Sequence, residues 1–312
     1  MSRAELIMKK CEKNNIRLLT INDFLYPSKV KSIKDSPILL YYLGTINKDS
    51  MGVGIVGSRR CTSYGKKVAK EVAEILAKNS IPVISGMAKG IDGYSHTACI
   101  NSGGYTIAFL GNGVDLIYPK EHIKLMEKII ENGAVISEYP PGTKPYPKNF
   151  PKRNRLIAAF SNQLLVVEAD ENSGSLITAQ FAKKYNREVF AVPNNIFFKE
   201  SKGCNKLILN GARLYMCQQQ LMNSYTNVTS EKDNFINTVQ VRNDSKIDYA
   251  EKVILNAINK GPKAIDELKV TLHDDEVDIL EKMSLMELDG KIKAFHGKFY
   301  SLKNDIASKT LF

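Results

Sequence analysis

The strongest constraint on the fold is a repeated alternation of short apolar runs with longer amphipathic segments through the first two thirds of the chain. Each apolar run has four to six residues and few polar interruptions, which is typical of strands buried on both faces of a parallel sheet. The segments between the runs have helical spacing of apolar residues. The predicted strands are 53–56, 82–85, 105–110, 134–137, 164–168 and 189–192, and the predicted helices are 66–79, 91–102, 121–132, 154–161 and 175–186.

This alternation predicts an α/β fold with a doubly wound, mostly parallel sheet over residues 51–217, preceded by a lead-in over 1–50. Ligand sites in such a sheet lie beyond the carboxyl ends of the strands. Residues 218–245 are polar and weakly periodic, which predicts a linker. Residues 246–302 then change pattern to three amphipathic helices and a hairpin around 296–297, the layout of a small winged-helix domain.

Positive charge is concentrated in the predicted core. The chain has a net charge of +11, whereas residues 246–302 carry nine lysines against eleven acidic residues. The excess therefore lies upstream of the linker, where it would attract a polyanion. The third predicted helix of the small domain begins with acidic residues at 274–276 and 278, which favours a protein contact or a structural role over reading duplex DNA.

A basic segment with aromatic residues is the most specific functional signal. No acidic residue occurs between Tyr139 and Val167. Fixed cations neutralise phosphates and a ring among them offers a face for an unpaired base, so the pattern points to single-stranded nucleic acid. A solvated basic loop with a buried Phe150 is the equally weighted alternative. The residues concerned are Lys144, Tyr146, Lys148, Phe150, Lys152, Arg153 and Arg155.

Three glycine- and serine-rich turns are predicted at the same edge of the sheet. They are residues 57–59 (GSR), 85–92 (SGMAKGID) and 173–175 (SGS). Backbone N–H groups and the positive end of a helix bind phosphate in such turns. Turn geometry and helix capping by serine are the ordinary alternatives. The G-x-G-x-x-G match at 52–57 lies within a strand and has no ribose-binding acid, so a dinucleotide site is disfavoured.

His96 and Glu168 are the titratable residues for which a catalytic role is weighed against a structural one. His96, near the start of a helix, is expected to be packed or capping and not catalytic. Glu168 closes the fifth predicted strand together with Asp170 and Glu171, and pairing of these acids with Arg153 or Arg155 is favoured over acid catalysis.

Cysteine spacing and hydropathy indicate in which cellular compartment the protein is expected. The five cysteines form no C-x-x-C pair, so neither a zinc site, another metal site nor a disulfide framework is expected. No apolar run approaches the length of a membrane span, and the amino terminus lacks the apolar core of a signal peptide. The expectation is a soluble, cytoplasmic protein with reduced thiols and no cofactor.

The motifs, in order and spacing, resemble the DNA-processing protein A (DprA, or Smf) family over about residues 14–217. The matching segments are GSR at 57–59, SGMAKGID at 85–92, GGYTIAFLGNGVDLIYP at 103–119, SEYPPG at 137–142, FPKRNRLIAAFS at 150–161, VVEADENSGSLITA at 166–179, AVP at 191–193 and GCNKLI at 203–208. Departures include Lys89 where the family commonly has Arg, and Cys204 where Thr is usual. Only a short stub matches the amino-terminal helical domain that many members carry.

The resemblance implies a Rossmann-like core that binds single-stranded DNA, protects incoming strands during natural transformation and helps load the RecA recombinase. It also implies a homodimer formed through residues 203–217. Arg59 would hold a phosphate, Arg153, Asn154 and Arg155 would form a basic pocket, and Ser173–Ser175 an anion site. The whole implied DNA-binding set is Ser58, Arg59, Lys89, Lys148, Phe150, Lys152, Arg153, Asn154, Arg155, Ser173, Gly174, Ser175 and Asn205.

These observations together predict a non-enzymatic DNA-binding mediator. The alternative is a nucleotide-processing enzyme of related fold, such as a phosphoribohydrolase, because the same crevice could hold a small phosphorylated nucleotide. Enzymes of that class carry a Gly-Gly-x-Gly-Thr turn followed by Glu, which this sequence lacks. A duplex-DNA regulator acting through the small domain is a weaker third reading.

Overall fold

A computed structural model describes residues 2–48, 50–222, 225, 249–272, 279–295 and 298–301. The chain divides into two compact units, Met1–Thr229 and Ser230–Phe312. This boundary falls inside the predicted linker, 218–245, most of which lies outside the described residues. The first residues of that predicted linker form a short helix, Gln219–Met222, and its Leu221 is buried in the core of the first unit.

Among the described residues of the first unit, nine strands form one sheet. Their bounds are β1 (Arg17–Thr20), β2 (Leu39–Gly44), β3 (Gly52–Val56), β4 (Val83–Ser85), β5 (Thr106–Leu110), β6 (Gly133–Ser137), β7 (Ser161–Val166), β8 (Glu188–Ala191) and β9 (Arg213–Leu214). The spatial order is β1-β2-β6-β5-β4-β3-β7-β8-β9. The strands from β6 to β9 in this order run parallel, while β1 and β2 pair antiparallel at one edge. The predicted doubly wound α/β fold is confirmed.

Helices cover both faces of this sheet. Their bounds are α1 (Arg3–Lys13), α2 (Ser28–Lys31), α3 (Ser63–Lys78), α4 (Ile91–Asn101), α5 (Ile123–Asn132), α6 (Asn149–Phe160), α7 (Gly174–Lys184), α8 (Lys202–Leu209) and α9 (Gln219–Met222). Successive strand side chains point to opposite faces, so Val56 and Ile84 join one core cluster, with α6 and α7, while Ile55 and Val83 join another, with α3 and α4. Burial on both faces explains why these strands read as uninterrupted apolar runs.

The direction of winding reverses beside β3. After β3 the chain proceeds through β4, β5 and β6 to one side of the sheet, and α6 then returns it to β7 on the other side of β3. The carboxyl ends of β3 and β7 therefore begin diverging connections, and a crevice opens between them. Such a switch point is where open α/β sheets bind ligands.

The basic segment folds differently from the prediction. Helix α6 begins at Asn149, five residues before the predicted start at 154, so much of the expected loop is helical. Pro151 falls in the first turn of α6, where its missing N–H group costs nothing. The Asn149 side chain fixes this start, because its Nδ2 atom donates to the Gly111 carbonyl at 2.9 Å. The outer strands β1, β2 and β9 were not predicted.

The second unit contains, in its described residues, the three helices and the hairpin strands that the sequence predicts. They are α10 (Tyr249–Asn259), α11 (Ile265–Leu272), α12 (Ile279–Leu288), β10 (Ile292–Phe295) and β11 (Lys298–Ser301). Ile254, Ile258, Leu268 and Met283 are buried in a core of their own. The predicted acidic helix start at 274–278 and the turn at 296–297 lie outside the described residues. Over the described part of the chain, no helix is long and apolar enough to cross a membrane.

Candidate nucleic-acid interface

A cleft of about 700 Å³ opens at the switch point of the sheet. Its walls come from the turn after β3, the turn after β4, one side of α6 and the start of α7. The structure therefore brings together the three turns that the sequence places at one sheet edge. The lining includes Ser58, Arg59, Arg60, Asp92, Phe150, Arg153, Asn154, Ser173, Gly174 and Ser175.

Arg153 is the structural centre of the cleft. Its side chain is only 4% exposed. The Nη1 atom donates to the carbonyl of Gly86, directly after β4, at 2.5 Å. It also donates to the carbonyl of Phe109 in β5. The Nε atom donates to Asn154 Oδ1 at 3.2 Å. Arg153 thus fastens α6 to the ends of two central strands.

Gly86 and Asp92 complete this arrangement. A Cβ atom on Gly86 would lie 2.5 Å from Arg153 Nη1, so only glycine leaves room for the guanidinium against the backbone. Asp92 is buried, and its Oδ2 atom accepts from the N–H groups of Gly86 at 3.1 Å and Ala88 at 3.4 Å. Burial raises the pKa of the Asp92 carboxyl, an effect opposed by the Arg153 charge. Burial also lowers the pKa of Arg153 to about 10, so its guanidinium stays protonated at neutral pH.

Phe150 forms part of the cleft wall and lies close to two cations. The ring is half-buried, and its centroid lies 5.7 Å from Arg59 Cζ and 5.8 Å from Arg153 Cζ, within cation–π range. The ring of Tyr118 supports it at a centroid distance of 5.4 Å. The ring packs against the protein and also lines the cleft, so the alternative of a buried Phe150 is met only in part, while its stacking role stays a prediction.

The start of α7 also lines the cleft. Ser173 is the N-cap residue, and its Oγ atom accepts from the Ser175 N–H at 3.4 Å and contacts Ser175 Oγ at 2.8 Å. Asn154 Nδ2 donates to the Gly174 carbonyl at 3.0 Å, which ties α7 to α6. The exposed Gly174 leaves the positive end of the helix open to an anion.

Several predicted binding residues lie elsewhere. Arg155 is two positions after Arg153 and projects from the other side of α6. Its Nη2 atom pairs with Glu138 Oε1 at 2.5 Å and its Nη1 atom donates to the Asp35 carbonyl at 2.8 Å. The single basic pocket of Arg153, Asn154 and Arg155 is therefore not formed.

Four more of the predicted binding residues lie outside the cleft lining: Asn205, Lys89, Lys148 and Lys152. Asn205 Nδ2 donates to the Asn194 carbonyl at 3.0 Å, and Asn205 Oδ1 accepts from the Asn194 N–H, so this side chain braces a loop. Lys89 lies in a neighbouring cleft, where Nζ pairs with Glu121 at 2.7 Å. Lys148 and Lys152 are exposed at the start of α6 and are not part of the cleft lining.

The predicted pairing of Glu168 with an arginine is wrong. Glu168 is 1% exposed, and its carboxylate accepts from the Thr62 N–H at 2.9 Å and from the Thr62 hydroxyl. It thus holds the start of α3. His96 is fully buried, its Nδ1 atom lies 2.7 Å from Thr106 Oγ1, and burial lowers its pKa to about 3. A packed role for His96 is confirmed.

Several lining residues were not predicted from the sequence, and Arg60 and Tyr118 are among them. Arg60 lines the cleft beside Arg59, and the ring of Tyr118 supports Phe150. Adjacency to Arg59 in the turn after β3 was a usable signal for Arg60. No neighbouring residue in the sequence indicated a role for Tyr118, because its contact with Phe150 joins separate parts of the fold.

The Arg153 network generates a stability prediction. Arg153→Met leaves two buried carbonyls without their donor and removes the positive charge that opposes the effect of burial on the Asp92 carboxyl. We expect a loss of about 2 to 6 kcal/mol in the free energy of unfolding, since each unsatisfied buried group costs about 1 to 3 kcal/mol. Adding Asp92→Asn removes the uncompensated charge and should recover part of that loss, with a coupling of about 0.5 to 3 kcal/mol. Urea unfolding of the two single variants and the double variant measures this cycle, and strictly additive losses would contradict it.

Comparisons with known proteins agree with this architecture. A family described as DNA recombination-mediator protein A matches residues 17–226. Protein Smf of Synechocystis sp. is 42% identical over 222 residues, which are 70% of this chain and 56% of that protein. The alignment thus spans little more than half of that relative's length. The DNA processing protein DprA of Streptococcus pneumoniae is 41% identical over 204 residues, or 65% of this chain and 72% of the relative.

Solved structures resemble the chain over similar spans. The X-ray structure of DprA from S. pneumoniae superposes with a TM-score of 0.67 at 39% identity, covering 72% of this chain and 78% of that one. DNA processing protein A from Helicobacter pylori, whose structure was described for its single-stranded DNA binding mode, superposes with a TM-score of 0.61 at 32% identity, covering 67% of this chain and 95% of that one. The chain therefore belongs to the DNA recombination-mediator protein A family, whose members are named DprA or Smf.

Proposed function

We propose that the protein binds single-stranded DNA in the cleft at the switch point. The observation that carries this proposal is the Phe150 ring, which lies within cation–π range of the Arg59 and Arg153 guanidinium groups in a cleft that the open start of α7 also lines. A ring flanked by cations offers a stacking face to a base while the cations and helix end attract its phosphates. The described binding mode of the H. pylori relative supports the same ligand.

The two arginines have different parts in this proposal. Arg59 is exposed and can move to a phosphate. Arg153 is held by two backbone carbonyls, so it supplies fixed positive charge and keeps Phe150 in position. A double helix keeps its base faces stacked inside, so a ligand that stacks on Phe150 has to be single-stranded.

The same geometry supports a non-enzymatic role. Glu168, the candidate acid after β7, is buried, bonded to Thr62 and not among the residues that line the cleft. This supports the mediator over the phosphoribohydrolase-like alternative. Nucleoside monophosphates incubated with the protein should stay intact, and release of free base would support the enzyme instead.

The proposal includes a homodimer formed at the β9 edge of the sheet. Large apolar side chains are exposed there, with Phe197 at 85%, Leu209 at 85% and Met216 at 69%. Exposed apolar patches beside an edge strand are suited to a partner surface. Sedimentation velocity tests this, because Leu209→Glu should shift a wild-type dimer to a monomer of unchanged melting temperature.

Family membership extends the proposal to recombination. In this role the protein protects single strands that enter during natural transformation and helps to load RecA onto them. The family description as a recombination mediator supports this placement. Faster RecA filament assembly on strands carrying the protein would support it, and unchanged or slower assembly would count against it.

The binding proposal is tested by titration of fluorescent oligothymidylate, a duplex of equal length and nucleoside monophosphates at several salt concentrations. We expect single strands to bind more tightly than duplex, with little base preference, because stacking and phosphate contacts carry no sequence code. If about four phosphates are neutralised, log K should fall with log salt at a slope near −3. Equal or tighter duplex binding would contradict the proposal.

Substitutions at Arg59 and Phe150 separate charge from stacking. Arg59→Ala should weaken binding by about 1 to 3 kcal/mol and reduce the magnitude of the salt slope by about 0.7, as one phosphate contact is lost. Phe150→Leu keeps apolar volume but removes the aromatic face, so affinity should fall by a similar amount at an unchanged slope.

Controls keep these variants interpretable. Arg17→Ala removes an exposed arginine from β1, outside the cleft, and should leave affinity nearly unchanged. Melting temperatures of all variants are measured in parallel, since a binding defect that merely follows unfolding would place Phe150 in the core. Equal effects of Arg17→Ala and Arg59→Ala would show a diffuse electrostatic attraction without a defined cleft.

A further inference from the structure

A second cleft lies next to the first, with a volume of about 450 Å³. The two clefts share Arg59 and Arg60 as lining residues, so these two side chains form a ridge between them. Lys89, Tyr94 and His122 also line the second cleft. A ligand that extends from the first cleft across the ridge would therefore enter the second.

The ridge is fixed by backbone contacts with the start of α4. The Ile91 N–H donates to the Ser58 carbonyl at 3.2 Å. Gly90 has a φ of +77°, and a Cβ atom there would lie 2.2 Å from the Ser58 oxygen, so both space and conformation require glycine. The turn that carries Arg59 and Arg60 is consequently held in one position between the clefts.

The second cleft repeats the chemistry of the first. Tyr94 is half-buried, and Lys66 Nζ lies 4.7 Å from its ring centroid, so an aromatic face is again combined with a cation. Lys89 is paired with Glu121 at 2.7 Å, with both side chains more than half exposed. An exposed pair of this kind contributes little to stability, so Lys89 can exchange Glu121 for a phosphate at small cost.

We propose that the second cleft binds the nucleotides that flank those held in the first, so that one continuous single strand crosses the Arg59–Arg60 ridge. This inference rests on the proposed binding of single-stranded DNA. Tyr94 supplies a second stacking face, Lys89 contacts a flanking phosphate, and Glu121 restrains the affinity of the second cleft by occupying Lys89.

The length of the bound oligonucleotide distinguishes the two clefts, because only a long one would extend from the first cleft into the second. Fluorescent oligothymidylates of about four and about twelve nucleotides, both within the range of known single-strand sites, are titrated against the full chain. Glu121→Gln removes the competing carboxylate, and we expect it to tighten binding of the long strand about two- to fivefold while leaving the short strand unchanged. Tyr94→Leu should weaken the long strand by at least about fivefold, again with little effect on the short one.

A matched control removes the effect of net charge. Glu127→Gln makes the same charge change at an exposed position of α5 outside the second cleft, and should alter neither affinity. Melting temperatures verify that Tyr94→Leu remains folded, and the gain expected for Glu121→Gln cannot result from unfolding.

The outcomes are distinct. Wild-type protein that binds neither strand would refute the proposed function itself. Binding of both strands, with Glu121→Gln and Tyr94→Leu acting equally on short and long strands or on neither, would leave the first cleft intact and overturn the second. A second cleft that takes only inorganic phosphate would also leave long-strand affinity unchanged in both variants.

Discussion

The burial of the Arg153 guanidinium is the interaction on which the site depends. One side chain joins α6 to the carbonyls of Gly86 and Phe109, and its charge stands near the buried carboxylate of Asp92. Because α6 is the connection that carries the chain across the switch point, fixing its first two turns also fixes the width of the crevice beneath it. The position of Phe150 on the cleft wall follows from the same anchor.

This arrangement separates the charges that build the cleft from the charges that can bind a ligand. Arg153 and Asp92 are desolvated and bonded within the protein, so their position is stable but their capacity for new contacts is small. Arg59 and Arg60 are exposed on a turn pinned to α4, so they keep both reach and direction. A preorganised aromatic wall with exposed cations at its rim suits a polymer whose bases vary and whose phosphates do not.

Local pattern predicted the sheet, the convergence of its turns and the small carboxy-terminal helices, since buried parallel strands and amphipathic helices have recognisable periods. Local pattern failed where contacts between residues far apart in the sequence determine the structure. Arg153 meets carbonyls 67 and 44 residues away, and Glu168 meets Thr62 106 residues away, so neither partner leaves a mark in the neighbouring sequence. The first turns of α6 were read as a loop because Pro151 and the lysines obscure helical periodicity. The short edge strands β1 and β9 offered too few residues for any period.

The most direct test of the central claim is a crystal structure of the protein with bound oligothymidylate. We expect a thymine stacked on the Phe150 ring, a phosphate within hydrogen-bonding distance of Arg59, and another at the start of α7, with Arg153 still bonded to the Gly86 and Phe109 carbonyls. A strand bound on another surface, with the cleft at the switch point empty, would contradict the account.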